Sequence, residues 1–243
     1  MLLVSSLERQ GRILFKYRGY FPVLLFLLVV PFLWMRPEIP QGPIKVLLFA
    51  LSVLMAISGI LVRAYTIGHT PKGTSGRNTA GQKAETLNTT GIYSLVRHPL
   101  YLGNFLIWAG IGMFTYDPVY FLILLLIFWL FYERIMYAEE RFLEGKFGEY
   151  LSEWAEKVPA FFPRFRGFAP AEKGFSIKKV LRKEYSGFLA TVIGFVYVAF
   201  LRDLFQNGGF EWDPLLGLIL LVAFLITFSL RSLHHWTTLL KER

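Results

Sequence analysis

The sequence predicts an all-α polytopic membrane protein of about six transmembrane helices. Three observations carry that reading. Hydrophobic residues make up 54% of the 243 and charged residues only 18%, against roughly a quarter charged in soluble domains. Mean hydropathy is positive, at +0.46. The basic residues alternate along the chain in the way that membrane topology imposes. There is no cysteine, which excludes disulfides, thiol nucleophiles and zinc sites built on thiolates.

Six apolar segments have the length of a span: residues 19–35, 44–62, 100–116, 119–137, 186–201 and 214–230. Several lie near the lower limit of about 17 residues for crossing the hydrocarbon core. The first follows Arg9, Arg12, Lys16 and Arg18, as a signal peptide would. Its apolar run is long, however, and "MRPEIPQG" offers no small-x-small cleavage pattern, so it reads as a retained anchor. The third and fourth segments are parted only by Tyr116, Asp117 and Pro118. That spacing predicts a tight helical hairpin, with Asp117 as N-cap and Pro118 in the first turn of the second helix. Gly110 and Gly112 fall inside an apolar run and suit close helix packing rather than a dinucleotide loop.

Of the 26 Lys and Arg, 23 fall in residues 1–18, 63–98, 133–184 and 231–243, and only 3 in the intervening connections. The positive-inside rule then places both termini and the two long connections in the cytoplasm. The net charge of +9 is thereby explained as topology, without nucleic acid as a partner. Three units follow: two N-terminal spans (1–62), a core of loop, hairpin and cytosolic helix (63–168), and a basic linker with two C-terminal spans (169–243). Residues 63–98, rich in Gly, Thr and Asn, read as a loop. Ile135, Ala138, Phe142 and Leu143 have helical spacing, so the fourth span continues into the cytoplasm. Gly145 and Gly148 can break it, and residues 150–157 suit a further short helix.

Polar chemistry concentrates at three places, all assigned to the cytoplasmic side: "VRHPLYLG" (96–103), Glu139-Glu140, and "FGEYLSEWAEKVPAFFP" (147–163). Each has a plain alternative. His98 and Pro99 could simply start a helix while Arg97 snorkels to headgroups. Tyr93 and Tyr101 could be belt aromatics, and the glutamates a solvated face. His234 and His235 point about 100° apart on a helix and chelate poorly, so no metal site is expected. The basic run 178–183 either fixes topology or cradles anionic lipid headgroups.

The ordered motifs "GIYSLVRHPLYLGN", hairpin, "EERFLEGKFGEYLSEWAEKVPAFFP" resemble the isoprenylcysteine carboxyl methyltransferase family. More broadly they resemble phospholipid methyltransferase-like membrane enzymes. The resemblance covers roughly residues 75–165 and implies S-adenosyl-L-methionine as cofactor. It implies cofactor contacts for Tyr93, His98, Pro99, Leu100 and Tyr101; by charge alone, Arg97 or His98 can bind the cofactor carboxylate. By spacing, it adds Glu85, Thr86, Leu87 and Asn88, of which only the Thr-Leu pair keeps the family's residues. It adds the Glu139-Glu140 pair, its first member above all. The family's acceptor-contacting Arg falls at Ile135 here; Arg134 stands one residue earlier and is the candidate acceptor-binding, catalytic residue.

The reaction implied is methyl transfer to a lipid-linked anion. The acceptor would be a prenylcysteine-type carboxylate or a lipid phosphate such as lipid A 1-phosphate. Such an acceptor is already ionised at neutral pH and needs no general base. An amine acceptor, as in phospholipid N-methylation, would need one. The alternative class is a membrane sterol or enone reductase using NADPH, on a similar helical scaffold. The expected partners are the bilayer and a membrane lipid or lipidated substrate.

Overall fold

The computed structural model of the chain describes residues 3–35, 39–71, 84–207 and 213–240. Among these, eight α-helices and two 3₁₀ turns form the architecture, with no strand. The glycine-rich stretch expected as loop lies mostly in 72–83, outside the described residues.

Helix α1 (Leu3–Tyr17) is amphipathic, and a 3₁₀ turn (Arg18–Tyr20) leads into apolar α2 (Phe21–Met35). Together they form a 33-residue unit long and apolar enough to cross a membrane. Helices α3 (Gly42–His69), α5 (Pro118–Phe147), α7 (Ile177–Asn207) and α8 (Pro214–Trp236) satisfy the same criterion. Helix α4 (Pro99–Phe114) is apolar but shorter, at 16 residues. It spans about 24 Å, some 6 Å less than a typical hydrocarbon core. Its middle is buried, with Trp108, Ala109, Ile111 and Gly112 in the interior, whereas α3 and α8 turn Leu54, Leu61, Leu218 and Phe224 outward. The short helix is thus the hub, and the long helices around it carry the lipid-facing surface.

The hairpin forms as its sequence requires. The Asp117 carboxylate accepts from Val119 N (2.8 Å) and Tyr120 N (2.9 Å), meeting two orphan amides at the start of α5. Small residues set the fit of α3 on α4. A Cβ on Gly110 would stand 2.5 Å from the Ser52 carbonyl oxygen, and one on Gly59 equally close to that of Gly103. The interior is aromatic: Phe128 stacks on Tyr132 with centroids 4.2 Å apart, beside Phe21 and Phe105.

Two connections differ from the sequence reading. Residues 63–69 belong to α3 rather than to a loop, because Arg63 is neutralised inside the bundle. The basic run 178–183 is the first part of α7, not a free linker. Lys179 is buried and its Nζ donates to the Thr70 carbonyl at the end of α3. Helix α7 packs against α2, α3 and α4, and Val198 and Leu201 join the common core. Helix α5 runs through Gly145 and ends at Gly148, whose φ of 54° suits glycine; the amphipathic α6 (Glu149–Lys157) follows.

Candidate functional site

The site begins with a backbone frame. Residues 91–98 run beside residues 159–169 and exchange main-chain bonds without forming a sheet. Gly91 N donates to Ala169 O (2.8 Å), Arg97 N to Pro159 O (2.9 Å), His98 N to Ala160 O (3.1 Å) and Arg164 N to Leu95 O (2.9 Å). The Ser94 hydroxyl accepts from Ala169 N and donates to Gly91 O. His98 is the last residue before α4, and Pro99 takes the first helical position, where a missing N–H costs nothing.

This frame aims His98 at the far end of α5. The imidazole is 7% exposed. Its Nε2 donates to Glu140 Oε1 at 2.8 Å, and its Nδ1 stands 3.8 Å from Glu139 Oε2. Arg97 Nη1 reaches the other oxygen of Glu140 at 3.3 Å. Glu140 is therefore held by two partners. The Tyr101 ring lies nearly parallel to the His98 ring, 5.7 Å away, and meets Tyr132 at 5.1 Å. The Glu139 carboxylate lies within electrostatic reach of the Tyr93 and Tyr101 phenols. Burial, reinforced by Glu139, pushes the Tyr93 phenol well above its ordinary range, so it stays protonated. The buried Nε of Arg97 has no hydrogen-bond partner among the described residues.

Beside this cluster opens a half-open cavity of about 220 Å³. Tyr65, His69, Thr86, Leu87, Asn88 and Tyr93 contribute to its wall. Tyr93 belongs to both places, lining the cavity and facing Glu139. Lys146, near the end of α5, donates to the Ala84 carbonyl and ties the 84–90 segment to the helix bearing the glutamates.

The residues singled out in sequence thus fall into groups. Thr86, Leu87, Asn88 and Tyr93 line the cavity; Arg97, His98, Tyr101, Glu139 and Glu140 form the adjoining cluster. Glu85 is exposed and absent from the cavity wall, while Pro99 and Leu100 serve as the first turn of α4. Arg134 is not brought to the cluster. Its Nε donates to Gln10 Oε1 (2.9 Å) and its Nη1 to Leu130 O (2.6 Å), on the exposed α1 side. Five and six residues before the glutamates, it lies about 140° and 120° around the helix from them at about 100° per residue.

Several polar residues escaped the sequence reading. Arg63 of α3 donates to both oxygens of Glu184 on α7 and to Asn104 Oδ1 on α4 (2.7 Å). Asn104 Nδ2 in turn donates to the Tyr132 hydroxyl (3.3 Å), so the network reaches the ring that touches Tyr101. Arg18, in the turn between α1 and α2, acts electrostatically on Tyr101 and Tyr132. The available signal was a lone charge at the edge of an apolar run, where a membrane helix keeps charge only if it is partnered.

Residues 46–150 match the phospholipid methyltransferase family. Over 85 residues the chain is 45% identical to a cobalt-zinc-cadmium resistance protein of Cupriavidus metallidurans, covering 35% of this chain and 39% of that protein. Over 89 residues it is 40% identical to a nickel-cobalt-cadmium resistance protein of Alcaligenes xylosoxydans xylosoxydans, covering 37% and 41%. Over 82 residues it is 39% identical to a protein-S-isoprenylcysteine O-methyltransferase of Schizosaccharomyces pombe, covering 33% and 34%. The match therefore spans about two fifths or less of the length of these relatives. No solved structure matches.

Proposed function

We propose that this integral membrane chain, whose residues 46–150 carry a phospholipid methyltransferase-type core, uses S-adenosylmethionine to methylate a lipid-linked anion at the cytoplasmic face. The observation that carries the reading is the convergence of His98, Tyr101, Glu139 and Glu140 beside the cavity lined by Thr86, Asn88 and Tyr93. The residues present fit the cofactor's chemistry. Its carboxylate suits Arg97, whose buried Nε lacks a partner, and charge-assisted hydrogen bonds of this kind are the strong ones. Its ammonium or ribose hydroxyls suit Glu139, the less engaged of the two glutamates. The 86–88 backbone and the Tyr93 ring offer an edge and a face for adenine.

When bound, the cofactor supplies an electrophilic methyl group on a sulfonium. The chain's own contribution is positioning and dryness. His98 is fixed by Glu140 on one side and the Tyr101 ring on the other. His98 is buried, and a water-poor surrounding of this kind favours a step that neutralises charge. An ionised phosphate or carboxylate needs no base, so alignment does most of the work. With Arg97 on the cofactor carboxylate, Arg18, which acts electrostatically on Tyr101 and Tyr132, is the basic residue suited to hold the acceptor anion. A lipid phosphate and a prenylcysteine-type carboxylate both satisfy these requirements. Two relatives are named for metal resistance. Methylating a membrane anion changes the charge that a leaflet presents to cations, so this function is compatible with such a setting.

Two measurements test the proposal. Calorimetry of the purified protein should detect binding of S-adenosylhomocysteine and not of NADPH; the reverse would assign the scaffold to the reductases. Mass spectrometry of membrane lipids with and without the protein should find a species heavier by one methylene. An unchanged lipidome, with no methylation of added prenylcysteine, would reject the function.

A further inference from the structure

Residues 158–176 form a long connection without regular secondary structure, and its central stretch, "FFPRFRGF", has an unusual surface. Phe162, Phe165 and Phe168 are 70%, 85% and 53% exposed. Arg164 and Arg166 alternate with them, are exposed, and make no ion pair with any described residue. Three exposed phenylalanines on one loop would be costly in water.

The neighbours indicate what covers them. Phe161 is buried between Phe105 of α4 and Trp129 of α5, with centroids 5.5 and 5.4 Å away. Phe162 stacks on the outer side of the same Trp129, at 6.2 Å and 18°. Trp129 is 37% exposed and lies three turns of α5, about 16 Å, before Glu140 toward the middle of the span. The loop therefore dips along the lipid-facing flank of two spans and climbs back through Arg164 to the level of Leu95, whose carbonyl the Arg164 amide meets at 2.9 Å. Aromatic rings beside a span, followed by guanidinium groups at its edge, match the layering of a bilayer interface: hydrocarbon, then phosphate.

We propose that residues 161–168 are a membrane-interface anchor that binds anionic phospholipid headgroups. Phe162, Phe165 and Phe168 immerse in the leaflet, and Arg164 and Arg166 take the headgroup phosphates. Arginine suits this task because its planar fork meets phosphate in two hydrogen bonds. The same loop frames His98 through backbone bonds at Pro159 and Ala160. The inference does not depend on which reaction the site performs.

The absence of cysteine makes a direct test possible. Phe165→Cys carries a unique nitroxide label in the full-length protein, with Glu153→Cys, on the exposed side of α6, as reference. Both are reconstituted in phosphatidylcholine liposomes with and without phosphatidylglycerol. At position 165 the label should be several-fold more accessible to oxygen, relative to a water-soluble nickel chelate, than at 153. Phosphatidylglycerol should increase that ratio further, and R164Q/R166Q in the Phe165→Cys background should abolish the increase. Equal nickel accessibility at the two positions would overturn the anchor. A phosphatidylglycerol response that survives R164Q/R166Q, or one reproduced by inorganic phosphate in phosphatidylcholine alone, would overturn the headgroup assignment.

Discussion

Arg63 and Glu184 form a two-point ion pair between α3 and α7, with Nε–Oε2 at 2.7 Å and Nη2–Oε1 at 2.8 Å. Both side chains are largely buried, at 17% and 11% exposure. Removing one partner leaves a charge stranded among apolar helices. Glu184→Ala is expected to destabilise the protein by about 3–5 kcal/mol. A double substitution, Arg63→Met with Glu184→Met, should recover most of that loss. Thermal unfolding in one detergent, comparing the single and double variants, checks both expectations.

Glu139 and Glu140 are adjacent but should behave differently. Glu140 is bonded to His98 and lies beside Arg97, so Glu140→Gln should lower both thermal stability and S-adenosylhomocysteine affinity. Glu139 has the freer carboxylate. Glu139→Gln should keep the melting temperature and weaken binding about ten- to a hundredfold, the loss of one charged hydrogen bond of about 1.5–3 kcal/mol. Calorimetry on folded protein separates the two cases.

Arg134 points to α1 and Arg97 to the cluster. Arg134→Ala should therefore leave methyl transfer within a few-fold of wild type. Arg97→Gln should reduce it by orders of magnitude. Steady-state turnover of both variants, with cofactor affinity measured in parallel, decides which arginine serves the site.

Gly110 packs against the Ser52 carbonyl of α3 with no room for a methyl group. Gly110→Ala must push the hub helix away from α3. The expected cost is about 1–3 kcal/mol, read as a lower unfolding temperature, with activity falling because α4 also carries Tyr101.

The Tyr93 phenol titrates well above its ordinary value near 10 in the folded protein, through burial and Glu139. Its protonated form is favoured by folding, so stability is whole below about pH 10. It is lost as pH rises from there toward the folded value, because the unfolded chain ionises first. Tyr93→Phe should flatten the alkaline decline in stability measured by denaturant unfolding above pH 10.

The features that sequence made legible are local ones. The Asp117 cap, the hairpin turn, and the Glu-Glu pair at the end of a long helix each depend on residues within a few positions of one another. The His98–Glu140 bond was anticipated only as a shared side of the membrane, since 42 residues separate the partners. The Arg63–Glu184 pair spans 121 residues; a lone Arg63 at the edge of an apolar run signals that a partner exists but not which one, so α3 was expected to end at the charge that α7 neutralises. Arg134 shows the converse. It is near the glutamates in sequence, yet its side chain turns toward Gln10 of α1. The fold of α1 against α5 was also hidden, since it rests on Gly11 lying against the Arg134 backbone.

The strip that frames His98 is joined largely by amide and carbonyl groups at Gly91, Leu95, Arg97, His98, Pro159, Ala160, Arg164 and Ala169. Such bonds ask little of the side chains, beyond forbidding proline where an N–H must donate. The strip can therefore exchange most of its side chains while its shape persists. Variation in residues 159–169 leaves the histidine in place, so the surface that this segment presents and the position of His98 are encoded in separate atoms of the same residues.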